Sequence, residues 1–300
     1  MSSNTSKGTV IAIIAVFALF GIGMILSIRA LTGDSLLPAG ARLAVVPLRG
    51  AIAAEEQFVR RLEAFRRDRG IRGFIIEIES PGGTVGASQS IYEAIRRLRD
   101  EDDRPVVAWM GDVGASGGYY AAVAADSVFA LPGTITGSIG VVMEFPVAEE
   151  LYRKVGVEWQ VVKSGEHKDM GSTSRMLSTG DREILQAMVD DVHEQFVDAV
   201  AENRSLDRGA IAALADGRIF SGRQALELGL IDGLGTFEDA VAATGRMAGL
   251  GDRPSLERPR EPALRLWDVL LGLTGVEARG LLRTFVPMHS GTPRLLYEWR

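Results

Sequence analysis

The sequence predicts an α/β protein, a mainly parallel sheet with helices packed on it, preceded by one N-terminal transmembrane helix. Three observations carry that prediction. Short apolar runs alternate with segments of helical periodicity, a 19-residue stretch near the start lacks any charge, and the glycine-rich motifs fall where runs of the first kind end.

The uncharged stretch comes first, from Val10 to Ile28 (VIAIIAVFALFGIGMILSI). At 1.5 Å rise per residue it matches a hydrocarbon thickness of about 30 Å. A cleaved signal has a shorter apolar region of about 7–15 residues and small residues after it, whereas Arg29 follows directly here. The expectation is a retained single-pass anchor, with residues 10–28 in the bilayer. Lys7 precedes the span and Arg29, Arg42 and Arg49 follow it, so the positive-inside rule does not choose an orientation.

A linker over residues 32–42 separates residues 1–31, the tail and anchor, from a globular domain expected over 43–250. Leu43 to Leu48 reads as a buried strand, and Phe58, Leu62 and Phe65 recur at helical spacing. Phe74 to Ile78 is the next strand, and Ile91, Ala94, Ile95 and Leu98 mark the next helix. Further strands are predicted over Val106 to Met110, Ser127 to Leu131 and Trp159 to Val162. Helices are predicted over Gly117 to Ala125, Asp181 to Asn203 and Phe237 to Met247. Residues 251–300 change to Arg/Pro-rich spacers around an apolar stretch, Leu264 to Leu273, and are expected to be peripheral.

Composition excludes several chemistries. A formal charge of −6 with no basic stripe argues against nucleic acid as a partner. With no cysteine there is no disulfide, thiolate metal site or cysteine nucleophile. Lysine occurs only at Lys7, Lys154, Lys163 and Lys168, which shortens the search for an amine base, because arginine does not give up its proton.

The densest signal is MGDVGASGGYY, Met110 to Tyr120, where a strand runs into a glycine-rich turn with Ser116 at its apex. Glycines let a substrate carbonyl approach closely, and free N–H groups at the following helix start favour developing negative charge. A second loop, Ser80 to Thr84 (SPGGT), offers more backbone N–H groups at a parallel place in the fold. A nucleophilic serine also needs a base. His193 sits in an acidic helix and is expected at the surface, His289 is in the tail, and His167 is the fallback imidazole beside Lys168, on KSGEHKD.

These residues resemble the bacterial signal peptide peptidase A family of serine peptidases, within the Clp-protease and crotonase fold group. The resemblance covers roughly residues 43–250 and rests on IESPGGTVGASQSIYEAI, PVVAWMGDVGASGGYYAAVAAD with PGTITGSIGVV, KSGEHKD, and GRIFSGRQALELGLIDGLG. It implies that Ser116 is the nucleophile, Lys168 the general base of a Ser-Lys dyad, and Gly83 and Gly117 the oxyanion donors. It also implies a ring of identical subunits with the dyad shared between neighbours, and a catalytic domain outside the cytoplasm at the cell membrane. Leftover signal peptides and other short apolar peptides are the implied substrates, with no metal or cofactor. After Lys168 the chain reads MGSTSRM where the family pattern has a proline.

A lysine acts as base only as the neutral amine, which enclosure away from water favours. Lys168 is therefore expected to be covered in the assembled enzyme. Two other readings fit parts of the sequence: Gly114-Ala-Ser-Gly-Gly118 satisfies the G-x-S-x-G pattern of α/β-hydrolase esterases, which need a late histidine such as His289, and a crotonase-fold membrane scaffold needs no base at all. Three roles stay open for the tail: docking on the membrane, packing on a neighbouring subunit, or entering the active site as a self-peptide.

Overall fold

The structure, a computed structural model, describes residues 40–259 and 296–298, together with Phe17 and Met24. The expected membrane span, His289 and Leu264 to Leu273 lie outside the described residues apart from Phe17 and Met24. No helix among the described residues is long and apolar enough to cross a membrane.

The fold begins with strand β1 (Arg42–Arg49), helix α1 (Glu56–Arg66), strands β2 (Ile71–Ser80) and β3 (Gly82–Thr84), and helix α2 (Val85–Glu101). Strand β4 (Val106–Ala115), helix α3 (Gly117–Ala122) and strands β5 (Ser127–Ala130) and β6 (Ile135–Gly137) follow. After α4 (Glu149–Lys154) and a 3-10 turn (Glu166–Asp169) come α5 (Thr179–Arg204), α6 (Arg208–Leu214), β7 (Ile219–Ser221) and α7 (Gly222–Glu227). Strand β8 (Gly233–Leu234), helix α8 (Phe237–Met247) and strands β9 (Ser255–Glu257) and β10 (Leu296–Glu298) complete the described elements.

Eight strands form one sheet in the order β7-β6-β4-β2-β1-β9, with β5 on β4 and β8 on β5. Every pairing is parallel except β6 with β7. Parallel strands are covered on both faces, so they read as unbroken apolar runs. Ala44, Val46 and Leu48 of β1, with Phe74, Ile76 and Ile78 of β2, enter the main core with Ile91, Ile95, Tyr119 and Phe196. Leu43, Val45 and Ile75 point the other way and pack with Val241 of α8, Phe237 and Trp109. The Trp109 indole donates to the Gly235 carbonyl at 3.1 Å, fastening α8 to that second face.

One expectation fails. Trp159 to Val162 is not a strand; each of its residues is exposed, and Trp159 is 60% exposed. The run is apolar enough for a strand, but no strand among the described residues offers it a ladder, so its backbone stays irregular. The tail beyond residue 250 contributes two short strands: β9 extends the sheet beside β1, and β10 pairs antiparallel with β3.

Strand β4 does the work that positions the site. Its first half pairs with β5, from Val107↔Ser127 to Met110↔Ala130, and its last residues pair with β6, from Val113↔Ile135 to Ala115↔Gly137. Against β2 the register jumps from Ile78↔Met110 to Ser80↔Gly114, leaving Gly111 to Val113 as a bulge opposite Glu79. The Glu79 carboxylate accepts from the bulged amides of Asp112 at 3.1 Å and Val113 at 3.4 Å. A Cβ on Gly111 would collide with that carboxylate.

Candidate active site

Ser116 follows the last residue of β4 and precedes α3, at φ 51 and ψ −118. Backbone of this kind strains any residue but glycine and survives only where the surroundings impose it. Two bonds do so: the Ser116 N–H donates to the Gly137 carbonyl on β6, and its own carbonyl accepts from Tyr120 N–H, each at 2.8 Å. The serine is 1% exposed and its hydroxyl has no hydrogen-bond partner among the described residues. Thr136, beside Gly137, reinforces the junction by donating from its hydroxyl to the Gly114 carbonyl at 2.7 Å.

The second glycine loop meets this bend. Gly82 adopts φ +101, and an added Cβ there would collide with a backbone carbonyl and stand 2.7 Å from the Gly117 nitrogen. The Gly117 N–H, at the first position of its helix, has no carbonyl within that helix to accept it. Ile52 fixes the other edge of β3: its N–H donates to the Gly82 carbonyl at 2.7 Å and its carbonyl accepts from Thr84 N–H at 2.8 Å. Because groups alternate in direction along a strand, the N–H and carbonyl of Gly83 point away from Ile52. Gly83 cannot carry a side chain, since a Cβ would run into the Ile52 backbone. The close approach of Gly82 to the Gly117 nitrogen thus sets the second glycine loop against the Ser116 bend.

Lys168 is not brought to them within the chain. It is exposed, on the 3-10 turn, and its amine makes no hydrogen bond or ion pair among the described residues. Its neighbours are organised around it. Asp169 accepts from Lys163 at 2.8 Å and Arg175 at 2.7 Å, and Arg175 also reaches Asp181 at 2.6 Å. Arg175 first, then Lys163, holds the Asp169 carboxyl well below the usual carboxylate range. Asp181, buried at the start of α5, is likewise held down by Arg175 and then His167. These carboxylates are satisfied by arginine, histidine and the neighbouring lysine, which leaves the Lys168 amine without an acidic partner.

The two described histidines are committed elsewhere. His167 Nδ1 lies 2.8 Å from Asp181 Oδ1, in the capping box that opens α5. His193 is half-buried, not at the surface as its acidic helix suggested, and its Nε2 donates to the Ala215 carbonyl at 2.7 Å. It lines a cavity of about 440 Å³ together with Ser138, Val141, Asp190 and Asp216. Ser138 is a residue the sequence reading passed over: it shares the left-handed φ of 51 with Ser116 and directly follows Gly137. The run TITGSIG carried the only hint, a serine after a glycine at a strand end.

A hydroxyl on a strained strand-to-helix bend, with a second glycine loop packed against the start of the following helix, fits a serine hydrolase of α/β type. Comparison with known proteins narrows the class. Residues 99–250 match the model of peptidase family S49. A provisionally named protease of Synechocystis sp. is 46% identical over 63% of this chain and 68% of its own. The chloroplastic serine protease SPPA of Arabidopsis thaliana is 32% identical over 78% of this chain and 35% of its own, and Protease 4 of Haemophilus influenzae is 31% identical over 67% and 34%. The chain spans about a third of the length of the last two. It belongs to peptidase family S49, the serine peptidases of the signal peptide peptidase A family.

Proposed function

We propose that the chain is a membrane-anchored serine endopeptidase of Clp-protease and crotonase-like fold in which Ser116 attacks the peptide carbonyl and Lys168 is the general base. The observation that carries this reading is the Ser116 bend, where a buried hydroxyl with no competing partner is held at φ 51 beside Gly117 and the Gly82–Gly83 loop. Ser116 Oγ adds to the carbonyl carbon as the neutral Lys168 amine takes its proton. The oxyanion is received by the N–H groups of Gly83 and Gly117, each such donor contributing about 3 kcal/mol. Lys168 then protonates the leaving amine, and later takes a proton from the water that releases the acyl group.

The lysine is supplied by a neighbouring copy in a homo-oligomeric ring. Support for this comes from the arm between β6 and α5, where Leu151, Val155, Trp159, Val162 and Met176 are all exposed. An uncovered apolar surface of this extent calls for a partner, and a partner there would also enclose Lys168 and favour its neutral form. Signal-peptide remnants and other short apolar peptides, presented at the outer face of the membrane, are the proposed substrates. They follow from the family and from the anchor expected over residues 10–28.

The test is turnover of a fluorogenic peptide by the detergent-solubilised full chain. Ser116→Ala and Lys168→Arg should both abolish cleavage, because arginine keeps the charge but cannot deprotonate. His193→Ala and His167→Ala should stay active. Full activity in Lys168→Arg ends the dyad, and loss of activity in a folded histidine variant restores a histidine mechanism.

A further inference from the structure

Lys168 is flanked by two residues that are tied to one carboxylate. His167 Nδ1 lies 2.8 Å from Asp181 Oδ1, and Arg175 spans from Asp169 Oδ1 at 2.7 Å to Asp181 Oδ2 at 2.6 Å. Asp181 is fixed in turn at the start of α5, where the Ser178 N–H donates to it at 3.0 Å. Its side chain is 1% exposed, so the anchor is a buried one and not a surface ion pair. A 3-10 turn has three residues per revolution, which sets consecutive side chains about 120° apart. With His167 and Asp169 both drawn toward the start of α5, Lys168 is left on the open side, where it is exposed.

Arg175 has a second effect, on charge. Asp169 directly follows Lys168, and its carboxylate is occupied by Arg175 and by Lys163, the latter at 2.8 Å. The other charged groups around the turn are Glu166, which is exposed, and the His167–Asp181 pair. A carboxylate released within about 4–6 Å of an amine favours the charged amine by about 1–3 pH units. A lysine at position 175 would not prevent that release on both sides, because an ammonium is a point charge while the planar guanidinium reaches two carboxylates at once. The bridge forms even though Arg175 Nε is buried and meets no acceptor among the described residues. Its placement satisfies the two carboxylates and leaves one of its own donors unmet.

We propose that Arg175 is a positioning residue of the reaction: by bridging Asp169 to Asp181 it holds the Lys168 turn in place and keeps the neighbouring carboxylate from the Lys168 amine. This rests on the reading of Lys168 as general base. Arg175 acts through that amine and not on the peptide, so its loss slows the chemical step and leaves KM little changed. It also moves the acid limb of the pH–rate profile, which reports the essential base, to higher pH.

Two measurements test it. In the first, peptide turnover by the detergent-solubilised full chain is followed against pH beside Arg175→Gln and the double variant Arg175→Gln/Asp169→Asn. Arg175→Gln should raise the acid limb by about one pH unit, so that kcat falls about tenfold at a pH below the limb with KM within twofold. The double variant has no carboxylate to release and should bring the limb back. A limb that stays in place in Arg175→Gln, whether activity is kept or lost, overturns the proposal, as does one that stays raised in the double variant. Arg175→Lys, which keeps a cation but cannot bridge, should shift the limb the same way by less, and it carries the test if the glutamine variant does not fold. The second measurement needs no turnover: acetylation of Lys168 by acetic anhydride, which takes only the neutral amine, is followed against pH by peptide mass spectrometry in Ser116→Ala protein. Adding Arg175→Gln should raise the midpoint by about one pH unit; equal midpoints overturn the proposal. If Lys168→Ala cleaves peptide at the parent rate while the labelling midpoint still moves, the base assignment fails and the charge role of Arg175 stands.

Discussion

Ser116 allows backbone strain to be separated from chemistry. Ser116→Ala and Ser116→Gly both remove the hydroxyl, yet only glycine is at ease at φ 51 and ψ −118. Holding a side-chain-bearing residue in such a sparsely populated region costs about 1–3 kcal/mol. Glycine relieves that strain but gives the unfolded chain more freedom, worth about 0.4–1 kcal/mol against the fold. The difference leaves the glycine variant roughly 1 kcal/mol more stable than the alanine variant. For a domain of this size that corresponds to a melting temperature about 2–4 °C higher. Calorimetry of both full-length variants, at one pH and detergent concentration, reads the difference directly, and neither should cleave peptide. If the glycine variant melts with the alanine variant or below it, the bend is not strained and the account of how Ser116 is presented is wrong.

Tyr119 is fully buried and donates to the Leu230 carbonyl at 2.7 Å; Tyr119→Phe strands that acceptor and should cost about 1–3 kcal/mol, read as a lower urea midpoint with unchanged slope. Burial raises Tyr119 above the usual tyrosine range and pushes Tyr120 up to about 12. Both keep their protons in the folded state after unfolded tyrosines, near 10, have lost theirs. The stability this provides is complete below about pH 10 and fades as pH rises toward 12. Melting temperatures measured from pH 9 to 12 should fall, and less steeply in Tyr119→Phe. Glu79→Ala removes the acceptor of the bulged β4 amides; those amides are near enough to water that stability should change little, while kcat/KM falls about tenfold, roughly 1.4 kcal/mol of transition-state binding. Glu79→Gln, which keeps one acceptor oxygen, should recover most of it.

Elements buried on two faces were legible in the sequence because their composition is forced. Phe74 to Ile78 reads as a strand since Phe74 and Ile76 meet the main core while Ile75 meets α8. Helix α8 was found with its observed bounds because Thr236 and Asp239 form a capping box ahead of its apolar face. Ser116 and its glycine loops stood out because their backbone tolerates few residues. What escaped depended on partners rather than on composition. Trp159 to Val162 carries strand-like residues but has no strand partner among the described residues, and the Gly111 to Val113 bulge exists only because Glu79 stands opposite. The pairing of Leu296–Glu298 with β3 could not be read for the same reason, since a three-residue strand far from the domain in sequence carries no mark of its partner.

The last residues of β4 serve as a common ruler for both walls of the cleft. Gly114 is aligned with Ser80 on one side and with Thr136 on the other. A change in length earlier in the strand would therefore carry the SPGG loop's neighbour, the serine bend and the Gly137 turn along as one piece. The spacing between hydroxyl and amides is insulated from drift elsewhere in the sheet, so sequence divergence can accumulate around the Met110 end of the strand without detuning the cleft.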